Sequence, residues 1–380
     1  MKKIFSDCVD FVGSSCEKFD GIKRYISTGA IKESFIDNNE IEMVSFDKKP
    51  SRANLTVSYE DVLFAKMYGT RKTLLIDNEL SEYIYSTGFC AVRAKKNVLT
   101  KRCLFYLLNS NTFLNQKDRN CSGATQKAIT NIGMQKILVN IPDYKRQNEI
   151  VEQFDKLTNI IKMRKNELIM LDELIKARFV EMFGDTVINP LGWEEHRLVE
   201  YIIFLTSGSR GWSKHFVDEE NELFLTIKNV KNNHISTDNV QYIIAPDSKE
   251  AERTKVKSGD LLISITADLG RTGVVDNYIA EKGAYINQHL SLVRLDNKKI
   301  NPLYVSYFLE TEGGKLQFDS KNQNGVKAGL NFDAIKSLKI LVPPIEVQDA
   351  YLNWVKQINK SKFASYLHKF YDWKHLANQV

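Results

Sequence analysis

The stretch "VNIPDYKRQNEIV" (139–151) is written a second time, in different letters, as "ILVPPIEVQDAYL" (340–352). In each, an apolar run of β type meets a proline. A glutamine follows five residues later, Pro142 to Gln147 and Pro343 to Gln348, and a helical pattern begins. The two glutamines lie 201 positions apart in a chain of 380. A junction repeated at about half the chain length points to an internal duplication.

The helical patterns after the junctions support a duplication. Residues 146–183 contain no glycine or proline. Ile150, Phe154, Leu157, Ile161, Leu168, Leu171, Ile175 and Met182 fall on a three-four alternation, with Arg164 and Arg178 in the two remaining slots. Such a heptad stripe belongs to a helix that packs lengthwise on another helix. A helix of about 40 residues spans roughly 60 Å, more than a single domain covers. Gly184 stands where a C′ glycine ends a helix, before the break "DTVINPLGW". After the second junction Tyr351, Val355 and Ile358 form one stripe. It weakens at Lys362 and Ser365, and the aromatics Phe363, Tyr366, Phe370, Tyr371 and Trp373 are scattered.

The segments before the helices also read alike. "YEDVLFAKMYGTRKTLLID" (59–77) matches "SGDLLISITADLGRTGVVD" (258–276). An aspartate (Asp61, Asp260) precedes an apolar run. A Gly-Arg turn comes next (Gly69 and Arg71, Gly270 and Arg271), then a second run ending in Asp77 or Asp276. The pattern predicts a strand, a loop and a returning strand. "LFYLLNSNTF" (104–113) and "LYVSYFLETEGG" (303–314) each predict a short helix. After them stand the polar glycine loops "NCSGATQKAI" (120–129) and "NQNGVKAGL" (322–330). The expected organisation is a head at 1–142, a central long helix at 143–186, a second head at 187–343 and a closing helix at 344–380. The fold class is α/β: two similar α+β heads separated by long helices that pair as an antiparallel coiled coil, with a pseudo-twofold internal repeat.

Composition narrows the function. The hydrophobic fraction of 43% and charged fraction of 26% are those of an ordinary globular chain. No uncharged apolar run approaches the roughly 18 residues of a membrane span. "MKKIFSDCVDFVG" offers no apolar core before Asp7, so neither a signal peptide nor a membrane is expected, and a cytoplasmic location is. The cysteines Cys8, Cys16, Cys90, Cys103 and Cys121 make no C-x-x-C pair and are expected as reduced thiols. Net charge is +6, yet residues 145–185 hold eight basic and eight acidic residues. The surplus therefore sits outside the central helix, where a polyanion partner would meet it.

Catalytic parts are missing. There is no phosphate-binding G-x-x-x-x-G-K-[ST] loop, and "TSGSRGW" lacks dinucleotide-binding spacing. Pro343-Pro344 is followed by "IEVQ" rather than an aromatic, unlike the tetrad of adenine methyltransferases. His196, His215, His234, His289, His368 and His375 make no metal-ligand pairs by spacing. "PDSKE" (246–250) reads as a loop.

Taken with the twice-written junction, the paired "GDLL…GRTG" hairpins, the "INQHL" stretch (286–290) and the long helices, the chain resembles the DNA-specificity subunits of type I restriction–modification systems along essentially its whole length. The resemblance implies two target-recognition domains, each reading one half of a split double-stranded DNA sequence. It implies a coiled coil that docks methyltransferase subunits, and restriction subunits in the same complex. The chain itself is then non-catalytic and carries no metal or cofactor. Adenine methylation with S-adenosylmethionine, and cleavage with ATP and Mg2+, belong to the partners. Two features depart from the family: Arg146 and Val347 precede the junction glutamines where an acidic residue is common, and "STGFCAV" (86–92) replaces a first-head "NQHL".

Loops at one end of each head are the expected DNA contacts. In the second head these are Arg210 and Lys214 of "SGSRGWSK" (207–214), Arg271, Asn287, Gln288 and His289, and Lys321, Asn324 and Lys327 of "SKNQNGVK" (320–327). In the first head they are Arg71, Lys72, Gln126 and Lys127. Arg and Lys take phosphates or guanine edges, and Asn and Gln pair with adenine. The same residue types also serve as turn formers, and Arg71 and Arg271 as braces of their hairpins. Two other readings remain: a nuclease or methyltransferase with a divergent site, distinguished by activity of the chain alone, and a coiled-coil protein scaffold, distinguished by absence of DNA affinity.

Overall fold

The structure is a computed structural model. It describes residues 2–321 and 329–377, with side chains described as far as residue 362. The chain divides into two compact units, 1–163 and 164–380.

In the first unit the order Thr73–Leu75, Val62–Ala65, Phe89–Ala94, Val9–Val12 forms an antiparallel sheet. A second sheet holds Ser14–Ser15, Ala53–Thr56, Ile84–Ser86, Lys23–Ile26 and Glu42–Val44. In the second unit Leu261–Ser264 pairs antiparallel with Thr272–Val274 inside a six-stranded sheet, beside a four-stranded one. The matched hairpins are thus the returning strands that the sequence predicts. Their leading aspartates are buried. Asp61 accepts from Arg93 Nε (2.8 Å) and the Ser58 amide (2.8 Å). Asp260 accepts from Arg294 Nε and Nη2 (both 2.7 Å) and the Lys257 amide (2.7 Å). A buried carboxylate is tolerated because a guanidinium and backbone N–H groups replace its hydration.

The one short helix predicted over each of 104–113 and 303–314 is corrected to two, while the further short helix expected after each glycine loop is present as Asn131–Met134 and Phe332–Lys336. Lys101–Asn109 and Asn111–Arg119 meet at Ser110, which caps the second by accepting from the Phe113 amide. Pro302–Leu309 and Glu312–Lys321 break at Glu310 and Thr311. Ser and Thr favour this because their hydroxyls satisfy the free ends of a helix. "PDSKE" is a loop only to Ser248, which caps the helix Lys249–Thr254 through the Ala251 amide (3.2 Å).

The repeated glutamines explain the repeated junction. Both are fully buried. Gln147 donates to the carbonyls of Pro142 (3.0 Å) and Val98 (2.9 Å), and its Oε1 accepts from the Thr100 amide (2.9 Å). Gln348 donates to the Pro343 carbonyl (2.8 Å) and accepts from the Asn301 amide (3.0 Å). Thr100 and Asn301 are the N-caps of corresponding helices. One amide side chain therefore welds the long helix to the strand before it and to a helix of the head.

The first long helix is Tyr144–Phe183 and the second Ile345–Ala377. In the first unit Ile150, Phe154, Leu157 and Ile161 are half-buried, and Phe154 stacks on Tyr106 with centroids 4.9 Å apart. In the second unit Leu168, Leu171 and Met182 are half-buried and Ile175 is buried. The predicted stripe needs correction at its end: Phe179 and Phe183 are buried, while Arg178 stays partly exposed over Trp354. The last turns face the core of the second head, so buried residues recur every four positions (175, 179, 183) instead of alternating.

Within this unit the two helices run antiparallel. Tyr351 donates to the Ile175 carbonyl (3.2 Å) and sets its edge on Phe179 and Phe183. Further along, Lys362 pairs with Asp172. Val355 is buried and Ile358 partly buried in the same core. Gly184 ends the first helix with φ +79°. The five cysteines are free thiols. No helix among the described residues is long and apolar enough to cross a membrane.

Candidate nucleic-acid interface

In the second head, backbone pairing gathers most of the predicted loops. Gly208 passes so close to 286–287 that an added Cβ would stand 2.1 Å from the Asn287 carbonyl oxygen. This closeness lets the Ser209 amide donate to Ile286 (3.0 Å) and the Gln288 amide to Ser209 (3.0 Å). Arg210 is carried outward beside Asn287 and Gln288 and is exposed. Lys214 is exposed two residues after Trp212, which is buried against Phe224 and Tyr285.

The Ile265 amide donates to the His289 carbonyl (3.0 Å), and the Leu330 amide to the Ile265 carbonyl (3.0 Å). Thr266 bridges Gly329. The hairpin tip, the Asn287–His289 turn and the chain re-entering at Gly329 are therefore neighbours. The side chains are partly committed to one another. Asn287 Oδ1 accepts from the His289 amide (3.1 Å). Gln288 Nε2 lies 3.1 Å from His289 Nε2, and Thr266 Oγ1 2.7 Å from His289 Nδ1. An amide nitrogen can only donate, so Nε2 accepts and Nδ1 carries the proton toward Thr266. Arg271 is ion-paired with Asp268 and nearly half exposed. Lys321 closes the helix Glu312–Lys321. Asn324 and Lys327 lie outside the described residues.

The first head repeats this geometry. The Lys66 amide donates to Gly88 (3.0 Å), as Ile265 does to His289, and Met67 bridges Ala128, as Thr266 bridges Gly329. Thr87 and Gly88 thus stand where Gln288 and His289 stand, without amide or imidazole. Arg71 Nη1 donates to Asn111 Oδ1 (2.8 Å) and is exposed. Lys72 points inward to the Thr28 carbonyl, and burial, then Lys32, pushes its ammonium below the usual lysine range. Its geometry is that of a brace. Lys127 is exposed, its Nζ 6.0 Å from the Tyr68 ring centre. Gln126 Oε1 accepts from Arg52 Nη2 (3.4 Å).

Sequence reasoning missed Arg52, whose carbonyl accepts from Thr87 (2.9 Å), and the exposed Tyr68. It also missed Arg253, which donates to the Ser207 carbonyl (2.6 Å) and supports the Gly208 loop. An isolated arginine gives no signal of such a role. Each surface offers guanidinium, ammonium and amide donors on rigid turns, suited to phosphates and base edges.

The fold is therefore a duplicated one: two heads of one design, each followed by a long helix. A model of the type I restriction modification DNA specificity domain matches residues 11–171 and again 192–369, and the chain belongs to that family. Relatives include the HindI specificity subunit of Haemophilus influenzae, 27% identical over 165 residues (42% of this chain, 35% of that protein). The EcoBI specificity subunit of Escherichia coli is 19% identical over 293 residues (71% and 61%). The chain thus spans about a third and three-fifths of these two relatives. A solved chain from work on complex assembly and conformational transition of the type I R-M system shares the fold, with TM-score 0.59 and 19% identity over 99% of this chain and 95% of that one.

Proposed function

We propose that this protein is the DNA-reading subunit of a type I restriction–modification complex, each head reading one half of a bipartite target. The observation that carries this is the specificity domain matched twice, with the hairpin tip of each copy beside a turn and bridged to the following chain, at Ala128 in the first and Gly329 in the second. Arg71, Gln126 and Lys127 in the first head, and Arg210, Lys214, Arg271, Asn287, Gln288, His289 and Lys321 in the second, are the contacts of this reading. Asn324 and Lys327 belong with them by sequence.

The chain is a non-catalytic, cytoplasmic subunit. Methyltransferase subunits dock on the helices, where Met170 and Leu174 stay exposed one turn apart. Adenine methylation with S-adenosylmethionine, and restriction with ATP and Mg2+, reside on those and on the restriction subunits.

The test is duplex binding by the purified chain as salt rises from about 50 to about 200 mM. Phosphate contacts by several cations predict a loss of about 10³-fold or more. Binding that ignores salt, or methylation or cleavage by the chain alone, contradicts the reading.

A further inference from the structure

Lys117, in the helix Asn111–Arg119, has no exposed surface. A lysine ammonium shut away from water is costly unless its protons are paired. Here all three partners belong to one feature or hold it. Lys117 Nζ donates to the carbonyls of Met67 (2.8 Å) and Thr70 (3.0 Å) and pairs with Asp118 Oδ1 (2.9 Å). The same Asp118 oxygen accepts from the Gly69 amide (3.0 Å). The first and last carbonyls of the turn 67–70, and an amide between them, thus end on the buried Lys117 and its half-buried partner Asp118. The side chains the turn carries outward, Tyr68 and Arg71, are exposed.

The second head holds its turn by other means. Phe318 stands 201 positions after Lys117 and is buried. Its ring lies 2.3 Å from where a Cβ of Gly270 would be, so it packs under the 267–271 tip by contact alone. One head anchors its tip with a charge, the other with an aromatic ring.

We propose that Lys117 is a positioning residue for the first half-site, fixing the 67–71 turn so that its exposed groups meet DNA in one geometry, and that Phe318 does this for the second. The inference rests on the DNA-reading function above. Rigid support of a contact turn acts on specificity, because a loosened turn accommodates wrong bases. Two unlike anchors make the half-sites separately adjustable.

The complex purified from cells through a tag on this chain would select binders from a pool of random duplexes. Wild type is expected to give two specific blocks around an unspecified gap. Lys117→Met should flatten one block and leave the other sharp, with affinity for the wild-type sequence falling about tenfold or more. Asp118→Asn, which keeps both carbonyl bonds of Lys117, should weaken the same block less; it carries the test if Lys117→Met does not fold. Phe318→Leu should flatten only the other block. Folded variants that leave both blocks intact, weaken both alike, or affect the same block from both heads overturn the proposal. A wild type that selects no two-block motif overturns the functional reading itself.

Discussion

Replacing Gln147 or Gln348 by alanine tests what the repeated junction is for. Gln147→Ala removes three hydrogen bonds and strands the Thr100 amide and the Val98 and Pro142 carbonyls in the interior. Gln348→Ala removes two, at Asn301 and Pro343. At about 1 kcal/mol net for each buried hydrogen bond, the expected losses are about 3 and about 2 kcal/mol. The four tryptophans (193, 212, 354, 373) all lie beyond residue 163. Tryptophan fluorescence in a urea titration therefore reports on the second unit and should show the Gln348→Ala loss. Hydrogen exchange at residues 98–104 should show the Gln147→Ala loss. Gln153→Ala, at an exposed position of the same long helix, is the control and should stay within about 0.5 kcal/mol of wild type. Losses at both junction sites no larger than the control would refute the claim that these glutamines join helix to head.

The geometry predicts three further outcomes. Arg271→Ala should weaken DNA binding by about 1–3 kcal/mol, while an exposed ion pair with Asp268 contributes at most about 1 kcal/mol to folding; a melted protein, or unchanged affinity, contradicts the contact. Gly208→Ala forces a methyl against the Asn287 and Ile286 carbonyls and should lower stability by about 1–3 kcal/mol, with faster hydrogen exchange at 286–290. Hydrogen bonds to Glu200 and then Glu194 raise the His196 pKa. The protonated form is thus favoured by folding, and this support is complete below the ordinary value of about 6.5 and lost as pH rises through the folded one. NMR titration of the His196 ring should give a midpoint above about 6.5, and one at or below it contradicts the pairing.

The duplication was legible because identical backbone problems leave similar letters. A proline ending a strand, a glutamine five residues on, and an aspartate before an apolar run each occur twice at nearly one offset. The partners of those letters were not legible. Gln147 reaches Val98 and Thr100, almost 50 positions away, and its partners are backbone groups that no sequence displays. Lys117 was hidden for the same reason. Lys117 stands among polar letters in "LNQKDRN" (114–120), yet it is buried on two carbonyls. The stripe of the first long helix was legible while it ran on half-buried positions. It failed at Phe179 and Phe183, where Tyr304 of the head packs on the helix in addition to Tyr351 of the second long helix. Arg, Lys, Asn and Gln in loops named the candidate surface, but only geometry separates the inward Lys72 from the exposed Arg71 beside it.

The central claim is that this chain sets a bipartite DNA target. The most direct measurement is a single-molecule sequencing map of methylated adenines in the host genome, with this gene intact and deleted. The account predicts a split motif, two short specific blocks around an unspecified gap, that is present with the gene and vanishes without it. A methylation map unchanged by the deletion, in cells where the partner methyltransferase is expressed, would contradict it.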